Sequence, residues 1–271
     1  MYAGTTFRNG SGRIVGVHQK IDRVARRHLK KYLNHDSYFP PIKEILHFEG
    51  LNGPDGIKRK SPSRDEPWHF INPSNPADRN LVMIINDNIY NLSVALKEGN
   101  DVRAAFEAAW LSHAIVDGLT PAHHYPFSDK IEELWGKPQH ERLTVMDKNF
   151  IKGNTYRDTI SKNWQYWGVG GVFTAHYTFE WGVASAIASE SFSEAAPTKA
   201  EIKRVVKNGF EAEFMRSLRL VDDMKMYDQF GATGWTHDLA ADTRDKLLPQ
   251  IIKTVCLAWY YAAYMARSEN S

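Results

Sequence analysis

An all-α fold is what this sequence predicts. Two observations carry that expectation. Apolar residues recur at three- and four-residue spacing in long separated stretches, with Gly, Pro and Asn between them. No stretch alternates apolar and polar residues as a half-buried strand does. In order along the chain, Val15 to Tyr32 places Val17, Ile21, Val24, Ala25 and Leu29 on one helical face. Phe39, Pro40 and Pro41 interrupt it, and Ile42 to Phe48 is a short apolar piece. Leu51 to Pro76 carries five prolines and many charges, and is expected to be irregular. Pro76-Ala77-Asp78 starts a helix through Lys97, which Gly99-Asn100-Asp101 stops while capping the next, Val102 to about Gly118. The helical pattern weakens from His124 to Thr174 and returns from Ala175 to Phe192. It continues from Pro197-Thr198 to about Met226, and from Asp238 to Arg267. The expectation is a single helical domain over residues 1–271 with a long central excursion at about 124–174.

Composition narrows the function classes. Of the 271 residues 42% are hydrophobic and 24% charged, a globular balance. Lys+Arg 34 against Asp+Glu 32 gives +2, so overall charge does not drive nucleic-acid binding. The single cysteine, Cys256, excludes an intrachain disulfide and a cysteine zinc cluster. Val255 to Ala266 falls short of the roughly 20 apolar residues of a spanning helix, so no transmembrane segment is expected. Met1 to Gly12 is polar and shows no secretory signal. The expectation is a cytoplasmic chain as written, or a secreted one if the true N-terminus differs.

The eleven histidines invite chemistry. In Trp110-Leu-Ser-His113-Ala-Ile-Val-Asp117-Gly-Leu-Thr-Pro121-Ala-His123-His124, His113 and Asp117 lie four apart on an expected helix and face one way. An imidazole and a carboxylate so placed can grip one metal ion, and His123 past the helix end can serve a neighbouring one. Taken alone, such a pair is more often a buried hydrogen-bonded couple. His176 and Glu180 repeat the geometry among Phe173, Tyr177, Phe179 and Trp181. A buried charged pair needs compensation, which a metal supplies. Asp55, His69 between Trp68 and Phe70, and His18 on the first helix complete the set. Nitrogen and oxygen donors without thiolates suit zinc, with manganese and iron also open. His28, His35, His47, His124, His140 and His237 have no motif partner and read as structural or surface residues.

With these residues the chain resembles the bacterial zinc-dependent phospholipases C and the related fungal single-strand nucleases. Their motif His-x-x-x-Asp-x-x-x-Pro-x-His is matched in every spacing by His113, Asp117, Pro121 and His123. The phospholipase branch places an Asp fourteen residues before His-Phe-x-x-Pro, as Asp55 stands before His69-Phe70-Ile71-Asn72-Pro73. The later His-x-x-x-Glu matches His176 and Glu180, and the first-helix His matches His18, so the resemblance runs over roughly the first two thirds of the chain.

The resemblance implies an all-α enzyme with two or three zinc ions. One would be held by His69, His113 and Asp117 with Asp55 close by or ligating, a second by His123, His176 and Glu180, and a third by His18 sharing Asp117. Asp55 could alternatively be the general base. The relatives also use a mature N-terminal Trp on the third zinc. Here no Trp precedes Trp68, and Asp22 is a local group that could substitute. The implied reaction is phosphoester hydrolysis of the phospholipase C type, zinc-bound hydroxide attacking phosphorus. The substrate would be a phospholipid or another phosphodiester, with peripheral membrane contact. A single-strand nuclease or nucleotide phosphoesterase of the same fold stays open, as does a metal-stabilised binding or scaffold protein without hydrolysis. Trp164, Tyr166 and Trp167 in the excursion form either a substrate wall or lid or the packing of an inserted hairpin.

Overall fold

The computed structural model describes residue 1 and residues 16–34, 37–66, 68–124 and 127–268. His35 and the stretch 2–15 lie outside the described residues. All regular structure among the described residues is helical. The first apolar stripe becomes α1 (Val17–Leu29), with Val17, Ile21, Val24, Ala25 and Leu29 all buried and Arg26, Arg27 and His28 complementing the dipole of its last turn. α2 (Ile42–Ile45) and a 3-10 turn at Leu46–Phe48 follow the Pro40-Pro41 break.

The proline-rich segment is less irregular than its composition predicts, because it holds α3 (Pro54–Lys60). Pro54 sits in the first turn, where its missing N–H costs nothing. Gly56 lets the chain pass the Leu51 carbonyl, which would lie 2.0 Å from any Cβ there. α4 (Asn80–Lys97) starts later than expected. The side chains of Asn72 and Asn75 accept from the backbone N–H of Ser74 and Ala77, and Asp78 accepts from Asn72, so local turns compete with the helix up to that point. Asn100 caps α5 (Asp101–Gly118) by accepting from the Arg103 N–H at 3.1 Å. α6 (Pro121–His124) follows directly.

The excursion is more helical than its weak pattern predicts. It holds α7 (Phe127–Trp135), α8 (Val145–Asn149) and α9 (Tyr156–Trp167). Thr144 with Asp147 forms a capping box on α8, and Thr155 caps α9. These short helices bury a separate small cluster, Ile131, Trp135, Ile151 and Tyr166, against Phe70 and Phe173.

α10 (Val172–Ala186) comes next. The expected helix from 197 to 226 is two helices, α11 (Lys199–Asn208) and α12 (Phe210–Asp222). They break at Gly209, whose φ of +82° belongs to the region glycine tolerates. α13 (Met226–Thr233) and α14 (His237–Asp242) lead into a π turn at Thr243–Leu247 and then α15 (Leu248–Ser268). Pro249 cannot donate a hydrogen bond back into the preceding turn, which accounts for the irregular entry.

The apolar run near the end is a central core helix. α15 packs on α1, α4, α5, α11 and α12 and is buried over most of its length. Trp259 Nε1 donates to the Ala108 carbonyl at 2.9 Å, tying α15 to α5. Among the described residues no helix is long and apolar enough to cross a membrane.

Candidate metal centre

Two groups of side chains, each with two imidazoles and one carboxylate, can hold a metal ion. In each, the donor atoms all lie within 4.8 Å of one another. His18 from α1 meets His113 and Asp117 from α5. His123 from α6 meets His176 and Glu180 from α10. The four-residue spacings do what helix geometry demands: His113 Nε2 lies 3.3 Å from Asp117 Oδ2, and His176 Nε2 lies 3.1 Å from Glu180 Oε1. Within each group the imidazoles stack, His18 on His113 at 4.1 Å between centroids and His123 on His176 at 4.9 Å. Asp117 links the groups. His18 Nε2 is 3.2 Å from its Oδ1, and His123 Nδ1 is 3.8 Å from the same atom.

The chemistry of the first group fits a cation. Both nitrogens of His18 and Nε2 of His113 are buried without a hydrogen-bond partner, although a carboxylate oxygen lies within 3.3 Å of each Nε2. The lone pairs approach the carboxylate without aligning on it, as donors arranged around a common point do. In the second group, His123 places Nδ1 3.1 Å from the His69 carbonyl and turns Nε2 to Glu180 Oε1, also 3.1 Å away.

Other sequence-predicted residues fall around these groups. Asp55, on α3, puts Oδ1 3.5 Å from His113 Nε2, so the short helix hidden in the loop delivers it. His69 stands beside His123, ring to ring at 5.2 Å, and it is His18 that shares a ligand group with His113 and Asp117. Asp22 accepts from the Ser112 hydroxyl and lies outside both groups. The α-amino group of Met1 donates to Asp117 Oδ1 at 2.6 Å and lies 3.1 Å from Glu180 Oε1.

Two charged residues escaped the sequence reading. Glu49 is fully buried and its Oε2 lies 3.3 Å from His113 Nδ1, fixing that ring so that Nε2 faces the centre. Its cue, a lone Glu before Gly50, is too weak to find by spacing. Lys58 Nζ sits 3.0 Å from Asp117 Oδ2 and 3.2 Å from Asp55 Oδ1. The three-residue interval from Asp55 was the available signal once α3 is known.

Charge pairing sets the protonation states. Burial works against the ionised forms of Asp117 and Glu180. Lys58, the Met1 ammonium and His123 outweigh it at Asp117, and the ammonium and His176 outweigh it at Glu180, holding both well below the usual carboxylate range. Asp55 is likewise held low against burial, by Lys58 and His113. His113 resists burial and is raised by Asp117, Glu49 and Asp55. His123 is pushed down to about 3, chiefly by burial.

Both groups reach a cavity of about 720 Å³, lined on one side by Asp55, Asp117, His123, His176 and Glu180 and on the other by the excursion. Tyr166 and Trp167 line it, together with Trp68, Phe70, Phe173 and Tyr177. Trp164 does not belong to this wall. It is 64% exposed and lies over Gly168, because two residues along a helix turn it away from the face of Tyr166. The remaining histidines are structural or exposed: His28 contacts the Phe192 carbonyl, His124 the Gly118 carbonyl, His47 stacks edge-on with Phe48, and His140 and His237 are exposed. No protein-family model matches this chain, and no curated protein matches it significantly.

Proposed function

We propose that the protein is a metal-dependent phosphoester hydrolase of the phospholipase C type, with zinc as the resident metal. One observation carries this reading: four segments bearing imidazoles and carboxylates, on α1, α5, α6 and α10, converge beside Asp55 at a cavity large enough for a small organic phosphate. Divalent ions held there supply acidity to water and charge neutralisation to phosphate oxygens. Asp55, on the cavity side of His113, orients the attacking water or takes its proton. Glu49 and the His69 carbonyl hold the ligand rings in place. The aromatic wall excludes water and stacks against the apolar part of the substrate. Phe173, Tyr177 and Trp181 form a stacked ladder along α10 from the cavity to the surface, and this supports peripheral contact with a lipid interface.

Elemental analysis and turnover of bis(p-nitrophenyl) phosphate test the proposal. Two or three zinc ions per chain are expected, with turnover that chelation abolishes and zinc restores. Asp55→Asn should lower the rate by about 100-fold or more. Zinc-replete protein that turns over neither this ester, phosphatidylcholine nor single-stranded DNA would leave a metal-stabilised scaffold. Preference for a phospholipid, zwitterionic or anionic, over single-stranded DNA separates the phospholipase from the nuclease.

A further inference from the structure

The cavity that the metal-binding groups reach is also lined by a buried cation, Arg142, which makes no direct ion pair among the described residues. Arg142 follows the 3-10 turn at Gln139–Glu141 and is 6% exposed. It lines the same cavity as Asp55 and His123. Its Nε is buried without a hydrogen-bond partner, and among the described residues the guanidinium makes no ion pair. The other cations of this cavity differ. Lys58 is committed to Asp55 and Asp117, and Lys148 to Glu66 and to the carbonyls of Lys58 and Ser61. Arg59 is exposed.

The segment carrying Arg142 is held firmly. Gln139 Nε2 donates to the Ser63 carbonyl at 2.7 Å, and the Gln139 N–H donates to Glu132 Oε1 at 3.3 Å. Trp135 lies 5.6 Å from the guanidinium carbon and covers one face of it. A face covered by an aromatic ring leaves the edge, where the N–H donors are, for an anion that presents two oxygens. Glu132 and Glu66 act on Arg142 without a direct ion pair to it, so burial still works against its charge and its Nε stays unpartnered, a cost that an anion at the guanidinium edge recovers.

We infer that Arg142 is an anion subsite of the cavity, which receives a second phosphate of a substrate whose scissile phosphoester lies at the metal-binding groups. The inference rests on the hydrolase reading for the identity of the substrate, but not for the subsite. It specifies a phosphoester with a further phosphate, either a nucleotide or a phosphorylated lipid headgroup. A cationic headgroup such as choline is disfavoured, since it would face Arg142 unpaired.

Calorimetric titration of the full-length, chelator-treated protein with inorganic phosphate tests the subsite without activity. Phosphate is expected to bind, with at least roughly tenfold weaker affinity in Arg142→Gln and an intermediate loss in Arg142→Lys, which keeps the charge and loses the planar fork. If Arg142→Gln does not fold, as circular dichroism will show, Arg142→Lys carries the comparison. Absence of phosphate binding, or affinity unchanged in the folded variants, overturns the subsite. In the zinc-loaded protein, thymidine 5′-(p-nitrophenyl phosphate) is compared with its 3′-phosphorylated form, and phosphatidylinositol with its 4-phosphate in mixed micelles. A preference of roughly tenfold or more in kcat/KM for the phosphorylated member of one pair, erased by Arg142→Gln, supports the subsite and identifies the source. Equal rates within both pairs overturn the substrate assignment. Arg142-dependent phosphate binding without hydrolysis of any of these esters leaves the subsite standing and removes the hydrolase reading.

Discussion

His18, His113 and Asp117 form one ligand group, and His123, His176 and Glu180 the other. Both contain two stacked imidazoles and a carboxylate, yet their surroundings differ. The first is enclosed between α1 and α5, and its charges are already engaged: Lys58 and the Met1 ammonium sit on Asp117, and Glu49 on His113. The second opens on the cavity through His123, His176 and Glu180, and the Met1 ammonium lies on it at Glu180. Identical donors therefore need not be equivalent sites. A metal entering the first meets two ammonium groups, those of Met1 and Lys58, and one entering the second meets that of Met1, while the second turns all three of its donor residues to the cavity and the first only Asp117.

The harshest way to break this contrast is Asp117→Asn, because Asp117 touches both groups and two ammonium groups. The variant should lose the metal of the first group, weaken the second, and lose about 3–5 kcal/mol of stability through the cations left unpaired. Elemental analysis with chemical denaturation measures both effects. His176→Ala is narrower. It should remove one ion and most phosphodiester turnover while leaving the other ion bound. Loss of both ions would show that the two groups act as one site.

Lys58→Met sharpens the comparison. Freed of its competitor, the first group should bind zinc roughly tenfold more tightly, while the second changes little. Competition with a chromogenic chelator reads the two affinities.

The smallest effect is on the pH dependence of the metal-free protein. Burial lowers His18, His28, His123 and His124, the last two to about 3 and about 4. Unfolded imidazoles protonate near about 6.5. The stability these residues contribute is therefore complete above that pH and is lost as pH falls below it. His113 runs the other way: it is raised, so its contribution is present below about 6.5 and lost as pH rises through its folded value. Four groups against one predict a falling Tm between pH 7.5 and 5.5. A Tm that rises over that interval would show that His113 dominates.

Where a helix is long and amphipathic, sequence periodicity locates it. α1, α4 and α5 carry apolar stripes dense enough to outweigh local alternatives, and the boundaries move only where the Asn72 and Asn75 turns or Gly209 intervene. α3 and the excursion helices were harder to read. They are short, contain proline or glycine, or depend on caps and a small aromatic cluster for their stability. The same division applies to the site. His113 with Asp117, and His176 with Glu180, are legible because helix geometry alone puts residues four apart on one face. Glu49 and Arg142 have no such periodic partner, and the interval from Asp55 to Lys58 carries meaning only once α3 is known, so spacing alone does not place them.

By itself the sequence determined the helical class and the donor types, because both follow from side-chain chemistry and a 3.6-residue repeat. Only the tertiary structure decided which donors meet, that Lys58 and the Met1 ammonium share Asp117, and that Arg142 lines the cavity with its Nε buried and unpartnered. Those facts depend on how distant helices dock, and docking is set by the packing of the whole core around α15, not by any local run of residues.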